Sequence, residues 1–157
     1  MKLRTDTFDL WFFHRSGDEP RYLLLHASRE KADRWFHGHR FWQTPSGGMV
    51  REGEALEGAM RRIANDLGVA MKGVWAAEHT YTFWNLKRAN LEMIPVFACE
   101  VEEPVDPPLG QDFSEAGWFT AEECRQRLYF KGLKEGLACI REYVSEVDEP
   151  AGALRIL

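Results

Sequence analysis

GGMVREGEALEGAMRRIANDLGV, residues 47–69, places two different backbone demands side by side. Gly47, Gly48 and Gly53 suit a turn in which the chain takes conformations closed to other side chains, or in which backbone approaches a ligand closely. From Ala55 to Leu67 the pattern becomes helical. Leu56, Met60, Ile63, Ala64 and Leu67 fall on one side of a 3.6-residue repeat, and Gly68 stands where a helix would end. The other side carries Glu57 with Arg61 and Arg62 with Asp66, opposite charges four residues apart on a solvated face. The stretch reads as a glycine turn feeding a short amphipathic helix.

Working outward, FDLWFFHR (8–15) is aromatic and apolar and is bounded by the turn-like SGDEP. RYLLLHAS (21–28) follows, so the two predict a β-hairpin. REKADRWFHGHR (29–40) is polar and reads as a loop or a brief helix, and RFWQTP leads into the glycines. After the helix come two extended stretches, AAEHTYTFW (76–84) and LEMIPVFACEV (91–101), joined by NLKRAN as a hairpin loop. VEEPVDPPLG is a proline-rich surface connection to a short strand, AGWFT (116–120). Thr120 is placed to cap AEECRQRL, and a last helix is expected from Lys131 to Val147. Strands around one central helix, with helices at the end, indicate an α/β (α+β) sandwich.

The 157 residues suffice for one domain with a real core. Apolar residues make up 45% of the chain and aromatics 13%, which argues for a packed interior and against disorder. A net charge of −5 with no long basic run argues against nucleic acid as a partner. No apolar run approaches about eighteen residues and MKLRTDTFDL lacks a signal-peptide layout, so no membrane role and a cytoplasmic protein are expected. Cys99, Cys124 and Cys139 show no CxxC pairing and read as buried thiols.

With these elements in place, residues 47–69 resemble the Nudix box. That family pattern reads Gly, five residues, Glu, seven residues, Arg-Glu-apolar-any-Glu-Glu-any-Gly-apolar. Gly48 and Glu54 match its first two fixed positions, and Gly47, Val50 and Gly53 agree with the family's usual residues. FWQTPSGG (41–48) is similar to the Trp-x-x-Pro-x-Gly-Gly lead-in of many members. A hairpin before the box, two strands after it and a C-terminal helix follow the family's order, so the resemblance covers residues 8–145. It implies a Nudix-type α/β/α sandwich with a mixed central sheet, as a single domain over residues 1–157.

Hydrolysing a diphosphate link requires that several phosphate oxygens be neutralised while water attacks phosphorus. Magnesium suits this, held by a few carboxylates and keeping waters of its own. In the family, the Arg-Glu and Glu-Glu pairs of the helix do this work, and the Glu matching Glu54 braces the loop. Here the second half of the box departs from the pattern, because Gly68 lies twenty positions after Gly48 where the family has twenty-one. If the gap falls near Met60, Arg61 takes the family Arg position and the three ligand positions hold Arg62, Asn65 and Asp66. If it falls at Gly68, Arg62 takes the Arg position and the ligand positions hold Ile63, Asp66 and Leu67. The first alignment keeps the apolar stripe in register and is preferred. Either way Asp66 is the one carboxylate left, and each lost ligand weakens metal binding by about 10- to 100-fold or more.

The candidate catalytic residues are therefore Glu54, Glu57, Asp66 and Arg62, the last as a guanidinium fork that could hold phosphate directly. Weakly bound Mg2+ or Mn2+ would be held by the Gly47 backbone, Glu57, Asp66 and Glu115; Glu78 and Asp112 are further loop acids within reach of such a cleft. Trp42, Gly48, Lys87 and Arg88 are the candidate substrate contacts, within an aromatic supply that includes Trp35, Phe36, Tyr81, Phe83 and Trp84. His37 and His39 read as exposed loop histidines, and His14 and His79 as packed strand residues. The resemblance implies a pyrophosphohydrolase acting on a nucleoside-diphosphate-linked or related small molecule, with dinucleoside polyphosphates and dihydroneopterin triphosphate as the family substrates suggested by WQTPSGG. A small phosphate-bearing ligand and an optional homodimer complete the expectation. The alternative is a module on the same fold that binds a nucleotide-like ligand without cleaving it.

Overall fold

The structure is a computed structural model and describes every residue except 46 and 47. The strands are β1 (Leu3–Arg4), β2 (Thr7–His14), β3 (Arg21–Ala27), β4 (Trp42–Gln43), β5 (Gly48–Met49), β6 (Met71–Asn85), β7 (Asn90–Val101) and β8 (Phe113–Thr120). The helices are α1 (Arg29–Trp35), α2 (Leu56–Leu67), α3 (Ala121–Arg127) and α4 (Lys131–Ile140).

Strand β2 is the organiser. It runs parallel to β7 from Asp9 opposite Val96 to Phe13 opposite Glu100, and meets β3 antiparallel only at Phe13 and His14. Its first residues pair with β5, so the glycine turn is hung from the middle of the sheet. β6 and β7 form a long antiparallel hairpin, and β3 pairs with both β4 and β8. The sheet is therefore mixed.

Side chains alternate across a strand, and β2 has protein on both sides. Leu10 and Phe12 enter one core, with Ala59, Met60, Ile63 and Ala64 of α2. Trp11 and Phe13 enter the other, with Cys124 of α3 and Leu133, Leu137 and Ile140 of α4. This double burial is why FDLWFFH lacks polar alternation. A helix on each face makes the molecule the α/β/α sandwich expected.

Local chemistry explains most element ends. Gly68, at φ 73°, caps α2, a left-handed conformation that favours glycine. The Thr120 side chain accepts the Glu123 N–H while the Glu123 carboxylate accepts the Thr120 N–H, a capping box that opens α3 at the expected residue. Residues 29–35 form a true helix because Ser28 Oγ accepts the Lys31 N–H at 3.1 Å. The last helix departs from expectation. It is regular to Ile140 and then widens into a π turn over Arg141–Ser145, with Ser145 Oγ 2.6 Å from the hydroxyl of buried Tyr22. The C-terminal tail lies along β6, where Ile156 N–H donates to Val74 O at 2.7 Å, so part of an edge strand is covered. Among the described residues, no helix is long and apolar enough to cross a membrane.

Cys99 and Cys124 are buried as expected, and burial pushes both thiols up to about 12. Cys139 is only half-buried.

Helix α2 adheres through its apolar side. Met60→Ala should cost about 2–5 kcal/mol of unfolding free energy, whereas Arg61→Ala on the exposed side should change it by less than about 0.5 kcal/mol, both read from urea unfolding curves.

Candidate functional site at the glycine turn

The Glu54 carboxylate closes the loop that precedes α2. Its Oε1 accepts the Arg62 Nε–H at 2.9 Å, and its Oε2 accepts both the Arg62 Nη2–H and the Arg51 N–H at 2.9 Å. Arg62 Nη2 also donates to Met49 O at 2.8 Å, and Glu54 N–H returns a bond to Arg51 O at 3.0 Å. Val50 N–H donates to Asp6 O at 2.8 Å, which ties the same loop to the sheet. Gly53 supplies the left-handed residue at φ 77° that the turn requires. This two-bond fork between guanidinium and carboxylate fixes direction as well as distance. The Arg62 fork, and then the Arg51 N–H, hold the Glu54 carboxyl down to about 2; Glu54 and, more weakly, Asp66 push the Arg62 guanidinium up.

The fork settles which arginine faces the loop. Arg62 stands eight positions after Glu54, with seven residues between them as in the family pattern, while Arg61 is exposed. The register is thus the one with its gap at Gly68, not the one the apolar stripe favoured. The family's ligand positions then fall on Ile63, which is buried, on exposed Asp66 and on half-buried Leu67. Arg62, expected to face phosphate, closes on Glu54 with Nε and Nη2.

The expected metal set does not assemble. Glu57 and Asp66 are exposed on α2. Glu115 lies on β8 directly opposite His26, 3.9 Å from its Nδ1, and His26 stacks on Trp42 in the layer covered by α3 and α4. Residues opposite one another on an antiparallel pair share a face, so Glu115 points away from α2. Among the described residues, no group of three or more His, Cys, Asp or Glu side chains converges as a ligand set. Gly47 lies outside the described residues. Among the described residues Asp66 is thus the one acid at the family's ligand positions, and a magnesium ion there would draw most of its oxygen ligands from water and substrate phosphate.

The candidate substrate contacts divide. Gly48 sits in β5 opposite Phe8. Trp42 is stacked on His26 with centroids 4.7 Å apart and lies edge-on to Phe119. Lys87 and Arg88 reach back to α1, where both cations lie over the Trp35 ring at 4.3 and 5.2 Å, and Lys87 Nζ donates to Arg34 O at 2.6 Å. They clasp the hairpin to α1. His37 and His39 are exposed, as expected, and His39 packs against the rings of Phe41, Tyr129 and Phe130.

Sequence reading missed a buried polar pair beside the turn. Asp9, 3% exposed in β2 and adjacent to the residue that pairs with Gly48, accepts the Tyr81 hydroxyl at 2.7 Å. Burial, then the Asp9 charge, push the Tyr81 phenol up, so Tyr81 is a standing donor. A lone acid within FDLWFF was the available signal, since a buried carboxylate needs a partner.

Because the folded Glu54 carboxyl titrates below its ordinary value, the fork contributes stability above about pH 4.5 and loses it as pH falls through about 2. Glu54→Gln should lower the thermal midpoint at neutral pH, and the difference from wild type should close as the pH approaches 2.

Comparison with known proteins places this architecture. The model of the NUDIX domain matches residues 4–143. No curated protein sequence matches the chain. Among solved structures, a Listeria monocytogenes protein assigned to the NUDIX hydrolases superposes with a TM-score of 0.71 at 18% identity, covering 92% of this chain and 97% of that one. The Ap4A hydrolase of C. elegans gives a TM-score of 0.68 at 16% identity, covering 90% and 98%. The dihydroneopterin triphosphate pyrophosphohydrolase of E. coli gives 0.61 at 16% identity, covering 88% and 94%. These identities bear on the fold, and the family match, which spans most of the chain with the glycine turn and α2 inside it, carries the assignment: the chain belongs to the NUDIX family.

Proposed function

We propose that this chain is a Nudix-type pyrophosphohydrolase that acts on a small molecule containing a diphosphate linkage, with dinucleoside polyphosphates and dihydroneopterin triphosphate as the first compounds to try. The observation that carries the reading is the closed glycine turn, held to α2 by the Glu54–Arg62 fork in the family's own spacing. Such a turn aligns backbone groups for a phosphate chain and keeps them aligned without reorganisation. The structural likenesses to the Ap4A and dihydroneopterin triphosphate enzymes support the choice of compounds. The proposed ligand is a small phosphate-bearing molecule, not nucleic acid or membrane, in a cytoplasmic protein free to pair as a homodimer. Nudix enzymes generally use a divalent metal; here Asp66 is the one acid at the family's ligand positions, and no cluster of three acids accompanies it among the described residues.

A second reading has its own observation. Ile63 and Leu67 belong to or pack against the apolar core, and Arg62 is engaged by Glu54. A helix so arranged could grip a phosphate-bearing ligand without hydrolysing it.

Incubating the protein with a panel of nucleoside polyphosphates and dihydroneopterin triphosphate, with Mg2+, with Mn2+ and with chelator, separates the two. The proposal expects cleavage of a diphosphate link in at least one compound, read as two nucleotides from a dinucleoside polyphosphate or as pyrophosphate from a triphosphate. It also expects a fall of about 100-fold in Glu54→Gln, because misplacing the turn by about 1 Å has that scale of effect, and no loss in His37→Ala. Thermal stabilisation by a compound that is never cleaved would overturn hydrolysis in favour of binding.

A further inference from the structure

Lys31 is a part-buried cation with no ion-pair partner among the described residues. Its side chain is half-buried at the first turn of α1, with Nζ 4.3 Å over the Phe113 ring and 3.2 Å from Gln43 Oε1. The amide is neutral, so the ammonium keeps its full charge with one hydrogen bond of a possible three. The charged group that acts on it is Asp112, an exposed residue whose carboxylate is not in ion-pair contact with it. Burial is the larger influence and brings the amine down to about 8. A desolvated cation whose counter-charge lies beyond ion-pair distance gains when an anion arrives in contact with it.

Position makes the anion specific. Gln43 is buried in β4 opposite Leu25, which also lies opposite Ala116, a residue packed in the α2-side core. Lys31 thus stands on the same face of the sheet as α2. Gln43 continues through Thr44, whose hydroxyl donates to Leu10 O at 2.8 Å, into the strand's exit toward the glycine turn five residues on.

We infer that Lys31 binds a phosphate oxygen of the ligand on the α2 face of the sheet, where its ammonium lies between the Phe113 ring and Gln43. This rests on the proposed ligand carrying a phosphate chain. The contact is a charge-assisted N–H···O bond, with Gln43 aiming the ammonium and Phe113 bearing its other side.

The test uses the whole protein with labelled lysine side chains and inorganic tripolyphosphate as probe. Addition of tripolyphosphate should shift the Lys31 Cε–H signals and raise the pH at which they titrate. Lys31→Met, which retains the stem packed on Phe113, should bind tripolyphosphate about 10-fold or more weakly, and Lys31→Arg should retain most of the affinity. An unmoved Lys31 signal, or equal binding by Lys31→Met, would overturn the assignment even if nucleotides are hydrolysed. A Lys31 signal that responds to tripolyphosphate, in a protein that cleaves no compound of the panel, would uphold the anion site and sink the proposed function instead.

Discussion

The carboxylate of Glu54 accepts three N–H groups, one from the backbone of its own turn and two from a side chain on the second turn of α2. That arrangement joins pieces of chain which otherwise have little reason to remain together. The turn is short, glycine-containing and exposed, and backbone of this kind is costly to order. The helix, by contrast, is fixed by its buried side, Ala59, Met60, Ile63 and Ala64, against the sheet. The fork transmits the position of the helix to the turn. Met49 O and the Asp6–Val50 bond carry it onward to β5 and β2.

The same feature sets the chemistry apart from that of a fully carboxylated box. Where negative side chains would gather around a divalent cation, this chain has a neutralised pair, one exposed aspartate and apolar contacts. Positive charge is instead found on Lys31, over the Phe113 ring. A ligand with a phosphate chain would then meet a preformed backbone turn and an ammonium group. The buried Asp9–Tyr81 pair adds a fixed polar point on the opposite face of β2.

Much of this was legible in the chain itself. The five apolar positions of residues 55–67 forecast both the helix and the side it buries, and Thr120 announced the start of α3. The long apolar runs at 8–15 and 91–101 forecast strands, and the structure shows why they lack alternation, since both are covered on both faces. Short elements were less legible: β1 and β5 have two residues each and depend on partners far away in sequence. The π turn answers to Tyr22, more than a hundred residues earlier. Glu115 was misplaced because its face depends on the β3–β8 register, and a strand pairing that is off by one reverses every side chain. The choice between Arg61 and Arg62 was written in the eight-residue interval from Glu54, but an argument from the apolar stripe outweighed it. Trp42, Lys87 and Arg88 were read as free to meet substrate because the residues that occupy them, His26 and Trp35, are remote in sequence.

The Glu54–Arg62 fork closes the turn that precedes α2 through side-chain hydrogen bonds of its own. Amide hydrogen exchange at Arg51, whose N–H is donated to Glu54, reads this directly. Equal protection of that amide in chelator and in millimolar Mg2+, and its loss in Glu54→Gln, is the result expected. An Arg51 amide that exchanges freely in chelator and slows only when Mg2+ is added would contradict it.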